Sequence, residues 1–262
     1  MLDAIRRISV PLGCLAALLL TATTSYAALT TGKCLAAKAK AAASFRKCRL
    51  DAEAKLLEGK EANLMKCGLT LEAKQGKLDA KAAKAGVPCR FGDNGDGTVT
   101  DYDTGLQWQV PNSLDGIAYL PNPNDVDNRY KWTSTGTAAA DGDVFSEFLG
   151  RLNGSEGNPF GIAPCSSTDG SDLDGGFAGR CDWRLPTVAE LRGLVDVDRP
   201  ACGILFPCLD PVFGLVASDP YVTSTAFAGN SFKVWYVSFK DGSFDGAPKG
   251  NSFAAMAVRG GW

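Results

Sequence analysis

Residues 182–196 read DWRLPTVAELRGLVD, and the fold turns on what these fifteen residues do. Trp183 and Leu185 alternate with Asp182 and Arg184, the pattern of a strand with one face in a core. Pro186 ends that strand. Thr187 and Glu190 then stand in T-x-x-E spacing, in which the hydroxyl accepts the amide at N3 and the carboxylate reaches back to the amide of the N-cap. Val188, Leu191, Leu194 and Val195 fall on one side of the helix that follows. Arg184 and Glu190 have the chemistry of catalytic residues, but a helix cap with a half-buried ion pair accounts for both. Trp183, Arg184, Thr187 and Glu190 are therefore read as structural.

Strands are expected on either side. Upstream, Asn94-Gly95 and Asp96-Gly97 are turn dipeptides. Thr98-Val99-Thr100 and Leu106-Gln107-Trp108 alternate around a turn at Asp103-Thr104-Gly105. Asp143 stands where it would cap a helix whose Val144, Phe145, Phe148, Leu149 and Leu152 share a face. Downstream, YVTSTAF (221–227) and KVWYVSFKDGSF (233–244) read as strands, with Asp241-Gly242 turning the second. SFAAMAVRGGW (252–262) reads as one closing strand.

Residues 33–89 differ from all of this. They are rich in Ala, Lys, Leu and Glu, which favour helix, and carry 13 basic against 6 acidic residues, a net of +7. Residues 90–262 carry 12 against 22, a net of −10. The whole-chain net of −2 hides this split. A break at Glu58-Gly59 and a close at Gly86-Val87-Pro88 predict an antiparallel helical hairpin. Cys48 and Cys67 lie symmetrically about the break, while Cys34 and Cys89 flank the ends. The nested pairing Cys34–Cys89 and Cys48–Cys67 suits a hairpin. Two Ala-rich helices bury little apolar surface, so they need such staples. The hairpin's lysines are expected to solvate a stalk; the alternative is docking on an anionic surface such as lipopolysaccharide, a polyanionic glycan or nucleic acid.

Before the hairpin, Arg6 and Arg7 precede an apolar run, Ile8 to Ala22, that ends at Ser25-Tyr26-Ala27. This reads as a secretory signal peptide, residues 1–27, and implies a periplasmic, outer-surface or secreted protein. Cys14 lies inside that run. The other eight cysteines are an even number, as disulfides in an oxidising compartment require. The chain has no histidine. That excludes Ser-His-Asp and Cys-His nucleophile systems and histidine-bearing metal triads, while carboxylate, lysine or thiol chemistry stays open. Two acidic loops, Asn94 and Asp96 before Gly97 and Asp172 and Asp174 before Gly175, resemble part of a calcium loop. Each has glycine (Gly92, Gly170) in place of the first carboxylate, and turn chemistry explains them. No cofactor and no metal are expected.

The ordered stretches DNGDGTVTDYDTGLQWQ, DWRLPTVAELRGLVD, YVTSTAFAGNSFKVWYVSFKDGS and AMAVRGGW resemble the Lcl C-terminal domain family over residues 90–262. RLPTVAEL and the closing VRGG are also similar to the formylglycine-generating and C-type-lectin-like superfamily. The resemblance implies an α+β domain of mixed, mostly antiparallel strands with two helices, and extracellular ligand or glycan binding rather than catalysis. Formylglycine-generating enzymes use a late reactive cysteine pair; no cysteine follows Cys208, so that activity is not expected. Cys165–Cys181 and Cys202–Cys208 are paired as loop staples. The ligand surface is expected on the C-terminal strands and loops, with Lys233, Trp235, Lys249, Asn251 and Arg259 as candidates. The leading reading is an exported adhesion or binding module for a glycan or surface protein. The alternatives are a carboxylate-dependent glycan hydrolase and a purely structural envelope protein.

Overall fold

The computed structural model describes residues 29–112, 115–154, 162–166, 175–199, 202–204, 207–214 and 216–261. Residues 1–27, read from sequence as a signal peptide, with Cys14, and the second acidic stretch at Asp172 and Asp174 lie outside these.

The chain begins with two antiparallel helices, α1 (Thr31–Leu57) and α2 (Leu64–Ala85). Thr30 and Asn63 cap their starts by accepting the amides of Lys33 and Lys66. Gly86 ends α2 in the left-handed region, φ 64°, where a Cβ is disfavoured. Bridges join Cys34 to Cys89 and Cys48 to Cys67. The apolar contact behind the outer bridge is small: Cys34, Ala82 and Cys89, with Leu29, Leu78 and Val87 against them.

One lysine of the hairpin, among the described residues, is not solvated. Lys38 is 0% exposed and its ammonium lies 2.6 Å from Asp79 on α2. It also bonds Asp103, in the turn between two strands of the domain. Gln75 donates to the Tyr102 carbonyl beside it. Asp103 in turn neighbours Arg90, which holds Asp101 at 2.8 Å. Burial works to lower the Arg90 guanidinium, but the bond and charge of Asp101 outweigh it and raise it above its ordinary value. The hairpin is thus clamped to the domain by an ion network as well as by the chain.

Among the described residues the domain holds three small sheets. Strands β1 (Phe91–Asp93), β2 (Thr98–Asp101), β3 (Leu106–Gln109) and β9 (Val258–Gly260) form an antiparallel sheet in that order. Strands β4 (Tyr130–Lys131) and β8 (Ser252–Phe253) pair antiparallel. Strands β5 (Tyr221–Ala226), β6 (Lys233–Val237) and β7 (Phe244–Pro248) make an antiparallel third. A single parallel bridge, Tyr221 to Ala254, joins the third sheet to the C-terminal segment. The whole is α+β: a stapled helical pair followed by a mostly antiparallel domain with few helices.

The third sheet separates two apolar cores. Tyr221 and Val237 enter one, with Trp108, Leu191, Phe213, Phe239 and Met256. Their strand neighbours Val222 and Val234 enter the other, with Tyr130, Phe148, Trp183, Leu185 and Phe253. Period-2 alternation sends successive side chains to opposite faces.

Local expectations differ from the structure at three points. Trp183–Leu185 is not a strand; Arg184 exchanges two backbone bonds with Val258, 3.0 and 2.9 Å, as an isolated bridge. The C-terminal segment is two short strands in different sheets, because Ala254–Ala257 must pass from β4 to β3. Asp143 does not cap its helix, a π-helical stretch Val144–Leu149 running into an α-helical turn, α3 (Gly150–Leu152). Its carboxylate accepts the Lys131 amide instead and ties the helix to β4.

Helix α4 (Val188–Arg192) follows Pro186, with both bonds of the capping box present. Glu190 Oε2 accepts the Thr187 amide at 2.7 Å, and its two oxygens take Arg184 at 2.7 and 2.9 Å. Trp183 is buried, and its backbone N–H and C=O bond the Asn153 side chain at 2.9 and 2.8 Å. Its indole donates to the Phe177 carbonyl at 2.9 Å. Loop bridges Cys165–Cys181 and Cys202–Cys208 complete four disulfides.

Candidate ligand-binding site

On β6, Lys233, Trp235 and Val237 point to one face by alternation. Core residues and α4 cover the Val237 end. Beyond them the face is open, and Lys233 and Trp235 are only half-buried. Buried Thr223 donates its hydroxyl to the Trp235 carbonyl at 2.8 Å and fixes that backbone. Two more rings flank the indole. Phe227, in the β5–β6 turn, lies 4.7 Å from it, and Phe244, at the start of β7, lies 6.0 Å away. Gly246 pairs with Trp235 across the sheet. A Cβ there would stand 2.0 Å from the Phe227 ring, so the ring seats on bare backbone.

A cation closes each end of this shelf. The Arg192 guanidinium, from the last turn of α4, is 3.7 Å above the Phe244 ring. The Lys233 ammonium is 5.6 Å from the Phe227 ring. Both distances are within cation–π range. The bulge in β5 between Val222 and Ala226 brings α4 into place: the Pro186 carbonyl accepts the Ser224 amide at 2.7 Å, and Thr225 Oγ1 accepts the Val188 amide at 3.0 Å. The T-x-x-E stretch therefore serves the shelf from behind, by holding the helix that carries Arg192.

Of the five candidates from sequence, the structure brings Lys233 and Trp235 together. Asn251 is exposed in the turn after β7, and β7 pairs Pro248 with Lys233, so it lies beyond the Lys233 end. The other two are engaged elsewhere. Lys249 is 6% exposed, donates to the Ala138 carbonyl at 3.0 Å and sits 5.1 Å from the Trp132 ring; it anchors the loop after β4. Arg259 belongs to the first sheet, where it grips Asp182 through two nitrogens and Gln107 at 2.9 Å. Phe227, Phe244 and Arg192 were missed. Their only signal is positional, since each becomes a neighbour of Trp235 once strand pairing is known.

Away from the shelf, the Glu190 carboxyl is bonded to Arg184 and to the Thr187 amide. Burial, the largest influence on Glu190, works to raise its pKa; the Arg184 bonds and charge and the Thr187 amide outweigh it and hold the carboxyl below the ordinary value. At the first acidic loop, Asp96 accepts the Thr98 amide at 3.0 Å, and Asn94 donates to Thr98 and Thr100 at 2.9 and 3.0 Å. These are turn bonds. Among the described residues no helix is long and apolar enough to cross a membrane, and four disulfides fit an oxidising compartment.

No curated protein and no solved structure matched the chain. The sequence profile of the Lcl C-terminal domain matches residues 97–259. That span runs from β2 to the middle of β9 and contains the whole shelf. It exceeds half of the 262 residues, and the chain belongs to the Lcl C-terminal domain family.

Proposed function

We propose that this is an exported, non-catalytic binding module that holds a cell-surface glycan on the Phe227–Trp235–Phe244 shelf. Residues 1–27 serve as its signal peptide. The observation that carries the reading is the open row of three rings between two cations. An aromatic face carries partial negative charge, and the C–H bonds on one side of a pyranose ring carry partial positive charge. Sugars therefore stack where rings lie flat and accessible. Lys233 and Arg192 add donors at the ends for hydroxyl or carbonyl oxygens. A net of −10 over residues 90–262 repels a polyanion, which favours a glycan of low charge.

The test is a glycan array probed with the wild-type chain and with Trp235→Ala. Binding to a subset of neutral glycans, lost in Trp235→Ala without a change in melting temperature, supports the proposal. No glycan bound by the wild type, or equal binding by the variant, overturns it. Release of new reducing ends from a bound glycan would favour the carboxylate-dependent hydrolase instead.

A further inference from the structure

The hairpin's charge and apolar surface are segregated along its length, and the Cys48–Cys67 bridge marks the border. The distal part, residues 48–69, holds four basic and four acidic residues; the rest of 33–89 holds nine against two. All of the hairpin's net positive charge thus lies on the shaft between the domain and the inner bridge. Apolar exposure is distributed the opposite way. Leu57 is 90% exposed, Met65 75%, Leu50 66% and Leu69 59%, and Leu56 and Leu64 are exposed beside them. On the shaft, Leu35, Phe45, Leu71 and Leu78 are buried or half-buried. Packing within the hairpin does not explain the six exposed side chains, because the bridge and the clamp at Lys38 already hold the helices together.

We propose that this end of the hairpin inserts into the surface of an anionic lipid bilayer, with the cationic shaft against the headgroups. Nine residues of α1 beyond the bridge span about 14 Å, enough for the roughly 5–10 Å to which interfacial helices sink. The tip's acidic residues are largely neutralised before insertion: Asp51 pairs with Lys47 at 3.0 Å, Glu53 with Arg49 at 3.1 Å and Glu58 with Lys60 at 2.6 Å. Of the exposed shaft lysines outside those pairs, Lys40, Lys74 and Lys77 lie nearest the bridge and face the anionic headgroups. The acidic domain, repelled by the same surface, is turned outward. A second copy of the chain is the less favoured occupant, since two shafts of net +7 repel when aligned.

Co-sedimentation of the oxidised full chain with vesicles tests this. Binding is expected to vesicles of phosphatidylcholine and phosphatidylglycerol at roughly two to one, and not to phosphatidylcholine alone. Leu57→Glu with Met65→Glu, both at exposed positions, should weaken it by roughly tenfold with helical circular dichroism unchanged. Lys74→Glu with Lys77→Glu should weaken it as well, and added salt should do the same. Leu57→Trp should report insertion by a blue-shifted emission on vesicles, read as the difference from the wild-type spectrum. Equal binding to neutral vesicles, wild-type binding by the Leu57→Glu/Met65→Glu variant, or no vesicle-induced shift in the Leu57→Trp difference spectrum overturns the proposal. So does self-association through the tip without vesicle binding. Trp235→Ala should bind vesicles normally, so this proposal and the glycan reading fail separately.

Discussion

At the scale of single residues, Thr187, Glu190 and Arg184 form a unit in which each bond is visible. Thr187→Ala should cost ~1 kcal/mol, as lost N-caps do, read as a lowered urea midpoint. Glu190→Gln retains an acceptor for the Thr187 amide but loses the charge paired with Arg184. The folded pKa of Glu190 is lowered from 4.5. Its ionisation therefore contributes stability above that value, and the contribution is lost as pH falls through the lower folded pKa. The stability gap between wild type and Glu190→Gln should be full at pH 7 and shrink in acid; urea melts across that range measure it. Glycan binding by Glu190→Gln at pH 7 should equal wild type, and its loss in a folded variant would make the stretch a site. Trp183→Ala, which empties a buried position and removes the indole bond to the Phe177 carbonyl, should cost roughly 3–5 kcal/mol and abolish near-ultraviolet dichroism. The capping box was legible in sequence because its partners sit three residues apart. Lys38 and Lys249 were not. Nothing local distinguishes Lys38 from the other hairpin lysines, and its partner Asp103 lies 65 residues away.

At the scale of elements, the hairpin and the third sheet behave differently. The hairpin's ends, break and bridges follow from composition and cysteine symmetry, which are local and visible. Opening its inner bridge by Cys48→Ser with Cys67→Ser should cost about 3 kcal/mol for a loop of this size. It should be seen as lost helical dichroism from the distal part while the domain melts as before. Strands β2, β3, β5 and β6 were legible from alternation, whereas β7 was not. The split of the closing segment into β8 and β9 was not, because each half answers to a partner more than a hundred residues away. The shelf lies between: Trp235 and Lys233 show alternation, whereas Phe227 and Arg192 join them only through the β5 bulge. Gly246→Ala tests that assembly. The new methyl must displace the Phe227 ring, at a cost of roughly 1–3 kcal/mol. Glycan binding should fall with it, by array or titration.

At the scale of the molecule, the two charge-opposed halves are not independent. Lys38 is enclosed by carboxylates from both, and removing it leaves Asp79 and Asp103 facing each other. Lys38→Ala should cost roughly 1–3 kcal/mol, as loss of a charged hydrogen-bond partner from two half-exposed carboxylates does. Limited proteolysis should then cut between the hairpin and β1 sooner than in wild type. The domain's own closure depends on its far end. β3 pairs with β9, so Leu106 meets Gly260, and Arg184 bridges Val258. A chain delivered amino end first can complete and oxidise its hairpin as soon as Cys89 is out. Its domain must wait, with its first sheet and the core behind it unfinished, until Val258–Gly260 arrive. The protein is therefore assembled on two clocks, the hairpin's set by Cys89 and the domain's by β9.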